Sequence, residues 1–143
     1  MESRFTTQTT VTARFSDTDA MGHVNNARFI SFMEEGRVCY FRKLYPKESL
    51  ARIGELFPFI LADIQCSFKK PVFCSHNIIT TIGVTHFGTK SFTFEYDLFE
   101  EESGDLVATG KSIQVMYDYK TNQTIDIPQS LKDAVAEIEG KAI

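Results

Sequence analysis

The chain has 143 residues, 43% of them hydrophobic and 24% charged, with a net charge of −4. That balance predicts one globular domain over residues 1–143, with length enough for a sizeable core, and the acidic sign argues against general nucleic-acid binding. Thirteen Phe and no Trp predict either an aromatic core or a pocket for something apolar.

Thr7 to Phe15 alternates, with Val11, Ala13 and Phe15 on one side and Gln8, Thr10, Thr12 and Arg14 on the other. This predicts a half-buried strand. Ser16 to Asn25 is polar and contains Gly22, so it reads as a loop. From Asn26 to Leu44 the period becomes helical. Phe29, Phe32, Met33, Gly36, Tyr40 and Leu44 fall on one stripe, with Arg28, Glu35 and Arg42 opposite. Asn25 is the expected N-cap and Pro46 the stop. At 1.5 Å per residue this helix spans roughly 28 Å. Gly36 costs about 1 kcal/mol against Ala within a helix, which is explained if a sheet approaches the backbone there. Lys47 to Leu56 reads as a short helix or an irregular connection.

Four strands follow: Phe59 to Phe68, Asn77 to His86, Ser91 to Phe99 and Leu106 to Tyr117. Phe92, Phe94, Tyr96 and Leu98 share one face, and Ala108, Gly110 and Ser112 form a small-residue strip to seat the long helix. Ser130 to Glu139 closes the chain as a surface helix. Short turns between the last strands imply antiparallel neighbours. One long helix on one antiparallel sheet is an α+β layer architecture.

Cys39, Cys66 and Cys74 form no C-x-x-C pair and are odd in number, so reduced thiols in a cytoplasmic protein are expected. The stretch MESRFTTQTT carries no apolar signal-peptide core, and no apolar run approaches the roughly 20 residues of a membrane helix. His23, His76 and His86 show no metal-ligand spacing, and no phosphate loop or serine elbow is present.

The segment from Arg14 to Arg37 holds the strongest chemical signal. Two carboxylates, Asp17 and Asp19, with Gly22, His23, Asn25 and Asn26, lie just ahead of the long helix. A helix start offers free N–H donors and a partial positive charge. A carboxylate beside it suits attack on, or hydration of, a carbonyl carbon whose oxygen the helix holds. Each residue also has a plainer reading: Asp17 as a turn former, Asp19 as a turn or cap residue, Glu34 and Arg37 as a helix-surface pair, Phe29 and Met33 as core.

The run D-T-D-A-M-G-H-V-N-N-A-R-F, followed by E-E-G-R, resembles the hotdog-fold acyl-CoA thioesterases of the 4-hydroxybenzoyl-CoA thioesterase type. The F-K-K-P segment and the F-G-T-K-S turn support the resemblance by position, and it covers roughly Val11 to Asp118. It implies a five-stranded antiparallel sheet wrapped around one long central helix, and a homodimer or homotetramer with sites at the subunit interface. It implies hydrolysis of acyl-CoA to a free acid and CoA. Asp19 would be nucleophile or general base, with the backbone N–H at Asn26 polarising the carbonyl. His23 would orient Asp19 or water, and Asn25 would cap the helix. The nucleotide end of coenzyme A would meet Lys69, Lys70, Gly88, Lys90 and Ser91, with Phe29 near the acyl group; the plainer reading of the lysines is solvated surface charge. Coenzyme A enters as part of the substrate, with no separate cofactor and no metal. Two alternatives stay open: a thioesterase acting on acyl carrier protein, and a non-catalytic acyl-CoA-binding protein of the same fold.

Overall fold

A computed structural model describes residues 1–143. The elements are β1 (Thr7–Thr12), α1 (Asn26–Leu44), α2 (Leu50–Leu56), β2 (Phe59–Phe68), β3 (Asn77–Phe87), β4 (Ser91–Glu100), β5 (Leu106–Asp118), β6 (Gln123–Thr124) and α3 (Gln129–Glu139). The sheet order is β1-β3-β4-β5-β2, antiparallel throughout, with the two-residue β6 added beside β5. This is the α+β hotdog arrangement expected, a curled antiparallel sheet holding α1. None of the helices is long and apolar enough to cross a membrane.

The long helix begins and ends where its periodicity does. Asn25 Oδ1 accepts from the Ala27 N–H at 2.9 Å and so caps it. Phe29, Phe32, Met33, Gly36 and Tyr40 are buried against the sheet, mainly β1 and β3. A Cβ on Gly36 would stand 3.0 Å from Thr80 Cγ2 on β3, and one on Gly110 would meet Met33 at 2.5 Å. Both glycines therefore set how closely helix and sheet approach.

On β4, Phe92, Phe94, Tyr96 and Leu98 are all buried beneath α1. Phe41, Phe57, Phe59, Phe92 and Phe94 pack ring on ring, with neighbouring centroids 5.3–6.3 Å apart. Most of the expected aromatic content is thus core.

One expectation needs correction, and another is extended. The first strand stops at Thr12, and Phe15 is 83% exposed in a 3-10 turn spanning Phe15–Asp17. The alternation ran on in the sequence, but the Asp17 carboxylate accepts from the Arg14 N–H at 2.8 Å and turns the chain. The expected Glu34–Arg37 pair is present, and Arg37 makes a further contact. That pair spans 3.9 Å, while Arg37 is buried and donates to the Tyr96 hydroxyl at 3.1 Å. The Tyr96 hydroxyl shares a 2.6 Å hydrogen bond with Ser112, Ser112 donates to Gln114 Oε1, and Gln114 Nε2 donates to the Phe92 carbonyl. A connected polar chain therefore runs under the helix, each member supplying a partner to the next.

Candidate active site

The loop between β1 and α1 folds into a small hairpin. Thr18 bridges Val24, the Asp19 N–H donates to the His23 carbonyl at 2.9 Å, and the Gly22 N–H donates to the Asp19 carbonyl at 3.0 Å. Gly22 has φ +80, a left-handed conformation that glycine adopts without steric cost. The hairpin is pinned to the β2–β3 connection by the Val24 N–H on the Val72 carbonyl at 2.7 Å. His23 bridges Phe73 and stacks edge-on against its ring at 5.1 Å.

The two carboxylates of the loop have different surroundings. Asp17 is buried, holds the Arg14 N–H, and faces Arg14 and Arg28 at 3.6 and 3.7 Å. Asp19 is exposed, and its Oδ1 accepts from the Met21 N–H at 2.9 Å. Its other oxygen has no protein partner, so one oxygen orients the group and the other is available for chemistry. Asp17 is the turn former expected.

The first N–H groups of a helix have no intrahelical acceptor. Asn25 takes the Ala27 N–H, and no other group takes that of Asn26. Asn26 lines a cavity of about 260 Å³ together with His23, Val24, Phe29, Phe68, Lys69, Lys70, Pro71 and Val72. Phe29 and Phe68 meet edge-on at 5.3 Å, forming its apolar wall. Asp19 does not line the cavity but sits on the hairpin beside it, tied to His23. The arrangement offers an N–H donor, an apolar wall and an adjacent carboxylate.

The candidate cations separate into two groups. Lys70 pairs with Asp105 at 2.9 Å and holds that carboxyl below the usual range, whereas Lys69 carries no ion pair. The turn that holds Gly88, Lys90 and Ser91 closes with the Gly88 N–H on the Ser91 carbonyl, and Lys90 reaches Thr124 at 3.3 Å. This turn lies at the opposite end of the sheet. Ser91 is level with Val115 and Ile60, whereas Phe68, next to Lys69, is level with Ala108 and Leu98. The separation is about the length of β2, roughly 30 Å. One protomer therefore gathers His23, Asn26, Phe29, Lys69 and Lys70, but not Lys90.

Sequence reasoning missed Phe68, Phe73 and Arg28 as neighbours of the site. Phe68 was legible only as the end of a strand, and the Asp17–Arg28 pairing crosses a loop at a spacing that carries no pattern. A larger open depression of about 690 Å³, lined by Thr9, Glu35, Val38, Cys39, Arg42, Lys43 and Pro46, contains none of the expected site residues. Burial pushes the Cys66 thiol up, which disfavours the thiolate a cysteine nucleophile needs.

Known proteins bear on this geometry. The chain is 28% identical over 122 residues to a 1,4-dihydroxy-2-naphthoyl-CoA hydrolase of Thermosynechococcus vestitus, covering 84% of this chain and 82% of that one. It is 24% identical over 132 residues to the long-chain acyl-CoA thioesterase FadM of Escherichia coli, covering 92% and 98%. A Thermus thermophilus thioesterase solved with coenzyme A and zinc shares the fold, with a TM-score of 0.83 at 24% identity, covering 95% and 96%. The pattern of the thioesterase-like superfamily matches residues 13–135. That match spans the hairpin, the long helix and every strand except β1, and the chain belongs to the thioesterase-like superfamily.

Proposed function

We propose that this protein is an acyl-CoA thioesterase that hydrolyses the thioester to a carboxylic acid and free coenzyme A. The observation that carries the reading is the unpaired N–H of Asn26 at the start of α1, on a residue that lines a cavity with Phe29 and Phe68, next to a hairpin whose Asp19 carboxylate has one free oxygen. Attack on a thioester carbon moves charge onto the carbonyl oxygen. A fixed donor at a helix start lowers the energy of that oxyanion by about 3 kcal/mol in a dry site. Relatives named as acyl-CoA hydrolases support the substrate class.

Two courses fit this geometry. With Asp19 as nucleophile, its oxygen bonds to the acyl carbon, the C–S bond breaks, and coenzyme A leaves as thiolate. Water then opens the resulting anhydride, giving acid and regenerated carboxylate. With Asp19 as general base, it takes a proton from water as that water attacks, and returns it to the leaving sulfur. His23 and Asn25 act as supports, the first holding the hairpin against Phe73, the second fixing the helix cap. The reaction draws on these groups and water, with coenzyme A present only as part of the substrate. Three unpaired cysteines suit a reducing compartment such as the cytoplasm.

A second copy of the chain completes the site in this reading. β2 is an outer strand paired only with β5, and Ile60, Leu61 and Phe68 on it are exposed. An antiparallel pairing of two β2 strands about a two-fold axis sets the Phe68 end of one against the Phe59 end of the other. That brings Lys69 and Lys70 of one copy near the Gly88–Ser91 turn of its partner, forming one cationic site for the phosphates of coenzyme A.

The test is release of free thiol from benzoyl-, butyryl-, decanoyl- and palmitoyl-CoA by wild type and Asp19→Asn. Loss of about 100-fold or more in kcat supports the assignment. Unchanged hydrolysis by the variant overturns it, and no hydrolysis of any ester with coenzyme A still bound points to a binding protein. Single-turnover hydrolysis in ¹⁸O water, followed by mass analysis of the Asp19 peptide, identifies the nucleophilic course by label in that carboxyl, which arises when water opens the anhydride at the Asp19 carbonyl carbon.

A further inference from the structure

The reacting groups proposed above stand on different pieces of backbone, Asp19 on a hairpin and Asn26 on a helix. A displacement of about 1 Å between such groups costs on the order of 100-fold in rate. Hydrogen bonds within the hairpin fix its own shape, and the Val24 N–H on Val72 fixes one side of it. Neither determines how the hairpin is set against the first turn of α1.

We propose that Asp17 is a positioning residue that clamps the Asp19 hairpin to α1 through Arg28. The inference rests on the assignment of Asp19 and Asn26 to the reaction. Asp17 stands at the base of the hairpin. Its carbonyl accepts from the Asn25 N–H at 2.8 Å, joining it to the helix cap. Its carboxylate Oδ2 holds the Arg14 N–H at 2.8 Å, and Oδ1 faces Arg28 Nε at 3.7 Å and Arg14 Nη2 at 3.6 Å. Arg28 lies in the first helical turn, so its guanidinium carries the helix's position directly to the hairpin base.

The burial of Asp17 makes this an asymmetric contact. Its side chain is 5% exposed, whereas those of Arg28 and Arg14 are 49% and 73% exposed. Exposed ion pairs contribute little, but a buried carboxylate has lost its water and depends on the cations beside it. Arg28 is therefore held by Asp17 while the rest of its side chain stays in solvent. Asp17 does not line the cavity, and so acts only through the placement of others. The fold around it has independent fastenings in the Thr18–Val24 bridge and the Val24–Val72 hydrogen bond. Removing the charge pair should leave the protein folded, with the hairpin base held to the helix cap by the Asn25 N–H on the Asp17 carbonyl alone, and so loosen the hairpin.

The experiment compares Asp17→Asn, Arg28→Gln, Arg28→Lys and the Asn/Gln double variant in the full chain, on whichever panel ester wild type hydrolyses best. Asparagine keeps an acceptor for the Arg14 N–H and removes only the charge. The expected result is a kcat lowered by at least about tenfold in Asp17→Asn and Arg28→Gln, measured well below the unfolding midpoint, with KM nearly unchanged; Arg28→Gln, which leaves the buried carboxylate with Arg14 alone, should also lower that midpoint. The double variant should be no worse than the poorer single one, because both break the same contact, and Arg28→Lys should recover most of the rate. Amide exchange of residues 18–26 should quicken in Asp17→Asn. Unchanged kcat, a lowered melting point with unchanged kcat, or additive losses overturn the clamp while leaving Asp19 in place if Asp19→Asn is inactive. Full activity in Asp19→Asn overturns the catalytic assignment and the clamp with it.

Discussion

Arg37 donates from Nη1 to the Tyr96 hydroxyl at 3.1 Å, with both side chains buried between α1 and the sheet. The guanidinium's remaining charge partner is Glu34 at 3.9 Å, on the solvent side. Tyr96→Phe removes the acceptor and strands a buried cation. It should lower the unfolding free energy by about 2–3 kcal/mol, read as a lower urea midpoint with unchanged slope. Adding Arg37→Met should cost little more, because the charge leaves with its partner.

Alkaline conditions should destabilise the protein through its tyrosines. Burial pushes the Tyr96 and Tyr40 phenols up, and for Tyr40 the Glu139 carboxylate, which accepts its hydroxyl at 2.6 Å, adds to the effect. Both groups favour the neutral form in the folded state. Their contribution is complete below the unfolded value of about 10 and is lost as pH rises beyond it towards the raised folded values. Stability should therefore fall above pH ~10, by up to about 1.4 kcal/mol per pH unit for each tyrosine. Urea titrations from about pH 8 to 11 measure this, and Tyr40→Phe should flatten the slope.

Gly36→Ala should destabilise despite alanine's better helix propensity. The gain is about 1 kcal/mol, but the added methyl stands 3.0 Å from Thr80 Cγ2. Threonine is stiff at χ1 and cannot swing aside. Overpacking of this kind costs about 1–3 kcal/mol, so thermal unfolding should show a lower midpoint.

Lys69→Ala should raise KM several-fold with little change in kcat, the pattern of a contact to a remote part of the substrate. Lys70→Ala should have a smaller effect, because Lys70 is already engaged by Asp105. The Lys69 effect should shrink as salt rises. Equal KM values for wild type and Lys69→Ala at low salt would remove Lys69 from the binding site.

Leu61→Asp places a charge on the exposed edge strand, where Leu61 is 41% exposed. A charge there disfavours edge pairing. With the proposed β2 pairing, sedimentation should show a smaller species than wild type, and kcat/KM should fall by roughly tenfold or more as the proposed shared site for Lys69 and Lys90 is lost. An unchanged sedimentation coefficient would count against pairing through β2.

The elements that pack by their own period were the readable ones. The limits of α1, the Asn25 cap and the buried face of β4 all follow from local spacing, and so do the strand positions. Phe15 was misplaced because alternation continued after the backbone had turned. The pairing of Arg37 with Glu34 was readable, but its second partner was not, because that acceptor lies on β4 and no local pattern shows a polar chain assembled from separate elements. The Asp17–Arg28 pair is likewise a product of the folded loop. The loop that carries the candidate site was legible as a motif, but the Asp17–Arg28 contact within it was not.

The roughly 30 Å between Lys69 and Lys90 along β2 has a kinetic consequence. In the proposed pairing of two β2 strands the coenzyme A site draws on both ends of the strand, so specific activity becomes a mass-action quantity. It should decline on dilution through the dimer's dissociation constant, and substrate, by binding only the assembled form, should draw the chains back together.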